Sequence, residues 1–178
     1  MFYLLKKLFL STVTICLLIT HQACRTDIHD EKRISKVFPG FNYAKAVAYD
    51  YDGSEKGDLI IEKGKIHSSV KKQVILSKEQ TEELLAALND TLSYGADISR
   101  CFKPHLGIVF YDENDNPKAQ ISICFLCNQH NSFPLISAQE KAKNSSPAKL
   151  HGYSDKGRKI LINLCNSLNF SNCSSTEK

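Results

Sequence analysis

The sequence predicts an α+β domain: an antiparallel sheet with a β-hairpin in its C-terminal half and two amphipathic helices packed on it. Three observations lead there. Residues 43–51 alternate, with Tyr43, Lys45, Val47, Tyr49 and Tyr51 set against Ala44, Ala46 and Ala48, which is the period of a two-faced strand. Two separate stretches repeat apolar residues at helical spacing behind a serine cap. Between them, two strand-like runs flank the turn-rich segment "DENDNP", the pattern of a hairpin with a longer loop.

Taken in order, residues 24–40 read as a tether. They are polar, lack periodicity and close on a Pro39-Gly40 turn signal. One domain is expected over 41–170. After the 43–51 strand and the loop "DGSEKGD", "LIIEKGKIH" gives two short strands about Lys63-Gly64 and "VKKQVIL" gives a third. Residues 41–76 are therefore predicted to be a small antiparallel meander. Ser77 and Gln80 supply a capping box for the first helix, whose buried stripe is Thr81, Leu84, Leu85, Leu88 and Leu92. Glu79, Glu82 and Glu83 suit the positive end of its dipole, and no opposing carboxylate pairs with them for catalysis.

In the hairpin, "GIVFY" and "KAQISICF" are the strands, with Ile121, Ile123 and Phe125 facing the core and Ser122, Cys124 and Leu126 on the other side. A long polar connection follows, with room for a helical turn at "AQEKAK". Ser154 caps the last helix, whose stripe is Ile160, Leu161, Leu164, Cys165 and Leu168, and Gly157 weakens its first turn. Residues 171–178 are expected to be a flexible tail.

The N-terminal residues set the location. Lys6 and Lys7 precede an uncharged apolar run, Leu8 to Ile19, shorter than the roughly 20 residues that span a bilayer. This pattern predicts a secretory leader over 1–23, the alternatives being a secreted protein cut nearby with Cys24 left as a thiol and an uncleaved N-terminal anchor. The leader ends at Ala23-Cys24, the junction of a bacterial lipoprotein, although His21 and Gln22 depart from the usual aliphatic pattern. Lipidation of Cys24 would anchor the chain through its acyl groups. The expected localisation is the bacterial cell envelope, periplasmic or surface-facing, in an oxidising compartment. Loss of Lys6 and Lys7 takes the net charge from +4 to +2. That balance, with no basic run interleaved with aromatics, argues against nucleic-acid binding, as does the location.

Five cysteines remain in the mature domain: Cys101, Cys124, Cys127, Cys165 and Cys173. The stretch "ISICFLCNQH" carries a C-x-x-C followed by His130. A hairpin centred between Asn114 and Asp115 makes opposed residue numbers sum to about 229. Cys127 then faces Phe102, next to Cys101, and Cys124 faces His105. Cys101 and Cys127 are the disulfide candidates, closing the open end of the hairpin. A thioredoxin-like redox centre would need a helix after the motif, whereas "NQHNSFP" follows. A metal site would use Cys101, Cys124 and Cys127 with His105 or His130, which suits zinc or copper, but no second tight knuckle is present. Cys165 is read as a core residue and a possible extra thiol within reach of Cys124. No G-x-S-x-G, H-E-x-x-H or phosphate-binding glycine loop occurs, and "YDENDNP" lacks the ladder of a calcium loop.

The residues Cys101, Pro104, Gly107 to Asp112, Ile123 to Phe125 and Cys127 resemble a Cys-x-x-Pro, GIVFYD, ICF-x-C pattern found in uncharacterised Bacteroidota lipoproteins. Gly152 to Arg158, a Gly-Tyr-Ser-x-x-Gly-Arg start to the last helix, extends the resemblance, which covers about the last 80 residues. Relatives in that group often carry an acidic residue where this chain has Ser122 and Leu126, so the resemblance implies no site built on those carboxylates here. The resemblance implies an envelope location and a shared fold, and no activity. The expectation is a membrane-tethered lipoprotein acting as a non-enzymatic binding module on a protein partner in the envelope, such as an immunity or inhibitor protein, with no cofactor. The alternative is a metal-binding or thiol-redox protein using Cys101, Cys124 and Cys127.

Overall fold

The computed structural model describes residues 37–54 and 59–173. The expected leader, Cys24, most of the tether, part of the 52–58 loop and residues 174–178 lie outside the described residues. The fold is α+β. An antiparallel five-stranded sheet has the order β4-β1-β6-β7-β8, formed by β1 (Lys45–Asp50), β4 (Lys72–Ile75), β6 (Leu106–Tyr111), β7 (Pro117–Cys124) and β8 (Gln129–Phe133). Two small pairs sit outside it: β2 (Ile61–Glu62) with β3 (Lys65–Ile66), and β5 (Tyr94–Ala96) with β9 (Gly152–Tyr153). The helices are α1 (Lys78–Asn89), α2 (Ser137–Ser145) and α3 (Asp155–Ser167).

Both faces of the central strands are buried, and they bury different things. Ala46, Ala48, Ile108, Phe110, Ile121 and Ile123 face Leu84 and Leu88 of α1 and Leu161, Leu164 and Cys165 of α3. Burying each large aliphatic side chain there contributes about 1.5–3 kcal/mol. The opposite face carries Val47, Tyr49, Val109 and Tyr111, and is covered by Tyr51 and Ile60 from the excursion between β1 and β4. That excursion is pinned to the sheet. Ile60 N–H donates to Ser122 Oγ at 2.9 Å, and Gln120 exchanges bonds with the Ile61 backbone at 2.9 and 3.1 Å. Gly107 has no side chain because a Cβ there would meet Ile60 at 2.7 Å.

The strands of residues 41–76 do not form the predicted meander. β1 lies inside the sheet between β4 and β6, and β2–β3 forms a separate hairpin whose turn uses Lys63 (φ 49°) and Gly64 (φ 75°). β1 is buried on both faces, because the excursion after it covers the side that an antiparallel sheet can leave to solvent. The polar connection after Cys127 contains a fifth strand, β8, which was not expected, and a third helix, α2, over the "AQEKAK" stretch that had room for a helical turn. β8 was not legible because "QHNSF" is polar; an edge strand with one covered face tolerates such a sequence.

The capping box on α1 is present as predicted, with Ser77 and Gln80 bonded reciprocally. Its buried residues are Thr81, Leu84, Ala87 and Leu88, whereas Leu92 lies in the following 3-10 turn and is 70 % exposed. Ser154 caps α3. Gly157 is required by packing, since a Cβ there would lie 2.4 Å from the Ser93 carbonyl oxygen. Packed residues extend beyond 41–170 at both ends: Phe38 and Cys173 join the main core. The Ser171 N–H and hydroxyl bond the Asp50 carboxylate at 2.9 and 3.1 Å, so 171–173 are held and not a free tail. Among the described residues, no helix is long and apolar enough to cross a membrane.

Candidate functional site: a three-cysteine cluster on the C-x-x-C turn

The hairpin register sums to 229 from Leu106↔Ile123 through Phe110↔Ala119, then shifts at Tyr111. β7 ends at Cys124, two residues past Ser122 on the excursion-covered face. Here the chain leaves the strand. Residues 125–128 turn sharply, with Asn128 at φ 54°, and β8 begins at Gln129. The turn folds back on its own thiol, because Cys127 N–H donates to Cys124 Sγ at 3.2 Å. Cys127 therefore sits in the turn and not on the strand facing Phe102.

Cys101 arrives from the segment before β6. Ser99 N–H donates to the Cys127 carbonyl at 3.0 Å. The Gln129 side-chain amide donates to the carbonyls of both Ser99 and Cys101. These bonds lay the 99–101 backbone along the turn. The outcome is a cluster of three sulfurs, all within 4.8 Å of one another. Cys127 Sγ contacts both Cys101 Sγ and Cys124 Sγ, with Cα separations of 5.7 and 5.3 Å. Cys124 and Cys127 are 0 % exposed, whereas Cys101 is exposed.

The turn is clamped from outside. Arg158 Nη1, in the first turns of α3, donates to the Phe125 carbonyl at 2.6 Å and to Asn128 Oδ1 at 3.2 Å. Asn128 Nδ2 donates to the carbonyls of Asp97 and Tyr153, both at 2.9 Å. Gly152 makes room for this clamp, since a Cβ there would lie 2.5 Å from the Asp97 carbonyl oxygen and 2.9 Å from Asn128 Nδ2. Phe125 anchors the turn in the main core. Residues Gly152 to Arg158 thus support the C-x-x-C turn, a role that composition does not reveal. Asn128 and Gln129 were missed altogether. The available signal was an asparagine directly after the second cysteine, a residue that tolerates left-handed backbone.

The other expected site residues fall elsewhere. Neither His105 nor His130 belongs to the donor group of sulfurs. His105 Nδ1 is 3.1 Å from Asp52 Oδ1, in a network with Lys71 and Asn172. Lys71, 2.6 Å from Asp52, holds that carboxyl below the usual range, with the His105 charge assisting. His130 packs between Tyr94 and Tyr153, at ring-centroid distances of 6.1 and 5.2 Å. It pairs with Ile123 and so faces the main core, away from Cys124. Its ring nitrogens and the Tyr153 hydroxyl are buried without a hydrogen-bond partner. Burial pushes the imidazole down to about 3 and both phenols up. Cys165 is not a spare thiol near Cys124: its sulfur is bonded to Cys173, with Cα atoms 5.4 Å apart. The reversal after α3 at Asn169 (φ 54°) brings the tail cysteine back to the helix.

Three thiols that meet at one point, two of them dry, can bind a thiophilic cation or exchange a disulfide. They cannot all be paired, because a sulfur forms one disulfide. Comparison with family models, curated proteins and solved structures finds no match, so the reading of this site rests on its own geometry.

Proposed function

We propose that this chain is a membrane-tethered lipoprotein of the cell envelope and a non-enzymatic binding module whose ligand is a single thiophilic cation, held by Cys101, Cys124 and Cys127. The observation that carries the reading is the convergence of three sulfur donors within 4.8 Å. A staple needs two sulfurs. The third has a reason to be there if the group acts as a ligand set. Soft thiolates select Cu⁺ and Zn²⁺, and structural zinc takes four protein ligands. Among the described residues no histidine or carboxylate joins the three sulfurs, which favours three-coordinate Cu⁺. Zn²⁺ would draw its fourth ligand from solvent beside exposed Cys101.

The surroundings suit deprotonated thiols. The Cys127 N–H already points at Cys124 Sγ, and a backbone donor stabilises thiolate charge. The Arg158 guanidinium, bonded to the Phe125 carbonyl, places a fixed positive charge beside the turn, which lowers the cost of gathering anions there. Clamping the turn from α3 holds the donors in place before the ion arrives, as supporting contacts do at metal sites.

The test is titration of the detergent-solubilised, reduced full-length protein with Cu⁺ against a chromophoric chelator. The expected result is one Cu⁺ per chain, with affinity lowered at least 100-fold in Cys124→Ser and in Cys127→Ser. The double variant Cys165→Ser/Cys173→Ser should retain it. Binding that survives Cys127→Ser, or that vanishes only in the Cys165/Cys173 variant, contradicts the reading.

A further inference from the structure

We propose that in the metal-free protein Cys127 is a shared sulfur that pairs alternately with Cys101 and Cys124, making the cluster a disulfide relay from the surface to the interior. The inference rests on the cluster being the working site, but it does not depend on a metal. Three features carry it. The Cα separations of Cys127 from Cys101 and from Cys124 are 5.7 and 5.3 Å, both inside the roughly 4.4–6.8 Å range that a disulfide spans. Cys127 is therefore within bridging reach of both partners. The third cysteine stays within 4.8 Å of the other two sulfurs, close enough to attack. The two ends differ in access, since Cys101 is exposed and Cys124 is fully buried. Cys165 and Cys173, bonded to each other within the main core, belong to no such group among the described residues.

The chemistry balances in three exchanges. The Cys101 thiolate attacks an external disulfide, such as that of a low-molecular-weight thiol or a partner protein, forming a mixed disulfide and releasing one external thiolate. The Cys127 thiolate then attacks Cys101 Sγ, forming Cys101–Cys127 and releasing the second external thiolate. Finally the Cys124 thiolate attacks Cys127 Sγ, forming Cys124–Cys127 and freeing the Cys101 thiolate. Two protein thiols are oxidised, one external disulfide is reduced to two thiols, and the last step is neutral. Exchange runs through the thiolate and a mixed disulfide throughout. The Cys127 N–H on Cys124 Sγ, at 3.2 Å, stabilises the buried sulfur whenever it is the one released. The surface thiol is thus available in one isomer and consumed in the other.

The test uses the full-length protein in detergent, stripped of metal with a chelator, reduced, and reoxidised with glutathione disulfide. Samples are quenched in acid, free thiols are blocked with N-ethylmaleimide, and the bridged cysteines are then reduced and labelled with iodoacetamide. Wild-type chains that have formed one bridge in the cluster are expected to show maleimide on Cys101 in one population and on Cys124 in another, and never on Cys127. Cys101→Ser should still form Cys124–Cys127, at least tenfold more slowly, because its exposed entry is gone. Cys124→Ser should form Cys101–Cys127 and stop there, with no second isomer. Cys165 and Cys173 should carry iodoacetamide throughout, showing that each variant has folded. In singly bridged wild-type chains, maleimide confined to one cysteine or present on Cys127 overturns the relay, as does an unchanged rate in Cys101→Ser. A protein that shows both isomers but does not bind Cu⁺ when reduced contradicts the metal reading alone.

Discussion

His130 occupies the least forgiving position of any titratable side chain described. Its imidazole lies between Tyr94 and Tyr153 with neither nitrogen hydrogen-bonded, and burial lowers its pKa from an ordinary 6.5 to about 3, with His151 adding to the effect. The native state therefore excludes a proton that the unfolded chain accepts below about 6.5. Stability is complete above that pH and falls as the pH drops toward 3, with a slope approaching about 1.4 kcal/mol per pH unit. Between about pH 6.5 and 4.5 most carboxylates are still ionised, Asp52 and Asp112 among them, since their own values are lowered. Urea unfolding across that window should show the slope in the wild type and a much flatter profile in His130→Phe; equal slopes would contradict the account. Nothing in "CNQHN" marks this histidine as a core residue, because burial of a polar side chain is decided by its strand partner, Ile123, and not by its neighbours in sequence.

At the level of elements, legibility followed periodicity. The hairpin register, the α1 capping box and the two faces of β1 were readable because each repeats a local rule over many residues. β8 and the β5–β9 pair were not, because their partners are far away in sequence and their composition is polar. The cysteine pattern lay between these cases. The hairpin register pairs Cys101 with Cys127 through a strand continuing to residue 127, whereas the chain turns after Cys124 and the two sulfurs meet at the turn. Cys173 reads as part of a tail because the reversal at Asn169 leaves no periodic trace. The contact between α3 and the 3-10 turn at Thr91–Ser93 yields a prediction that runs against helix propensity. Gly→Ala inside a helix normally gains up to about 1 kcal/mol. At Gly157 the added methyl would lie 2.4 Å from the Ser93 carbonyl oxygen, and overpacking of this kind costs about 1–3 kcal/mol. Gly157→Ala should lower the thermal midpoint, and a raised midpoint would show that the contact is slack. Because α3 carries Arg158, the same variant should also weaken Cu⁺ binding.

For the whole molecule, the sheet buries one face under helices and uses the other to hold a covering excursion and, at its end, the sulfur cluster. Arg158 links these two halves by reaching from the helical layer to the C-x-x-C turn. The proposed tether fits a binding module held at a membrane and not a diffusing one. Cys24→Ser should move the protein from the membrane to the soluble fraction on cell fractionation, leaving Cu⁺ stoichiometry unchanged; a Cys24→Ser protein that stays with the membrane contradicts the lipid anchor. The central claim concerns the ligand set and is tested most directly by X-ray absorption at the copper edge of the Cu⁺-loaded full-length protein. A first coordination shell of three sulfurs, reduced to two in Cys101→Ser, is the result this account predicts. A wild-type shell of two sulfurs, or one containing imidazole nitrogen, would contradict it.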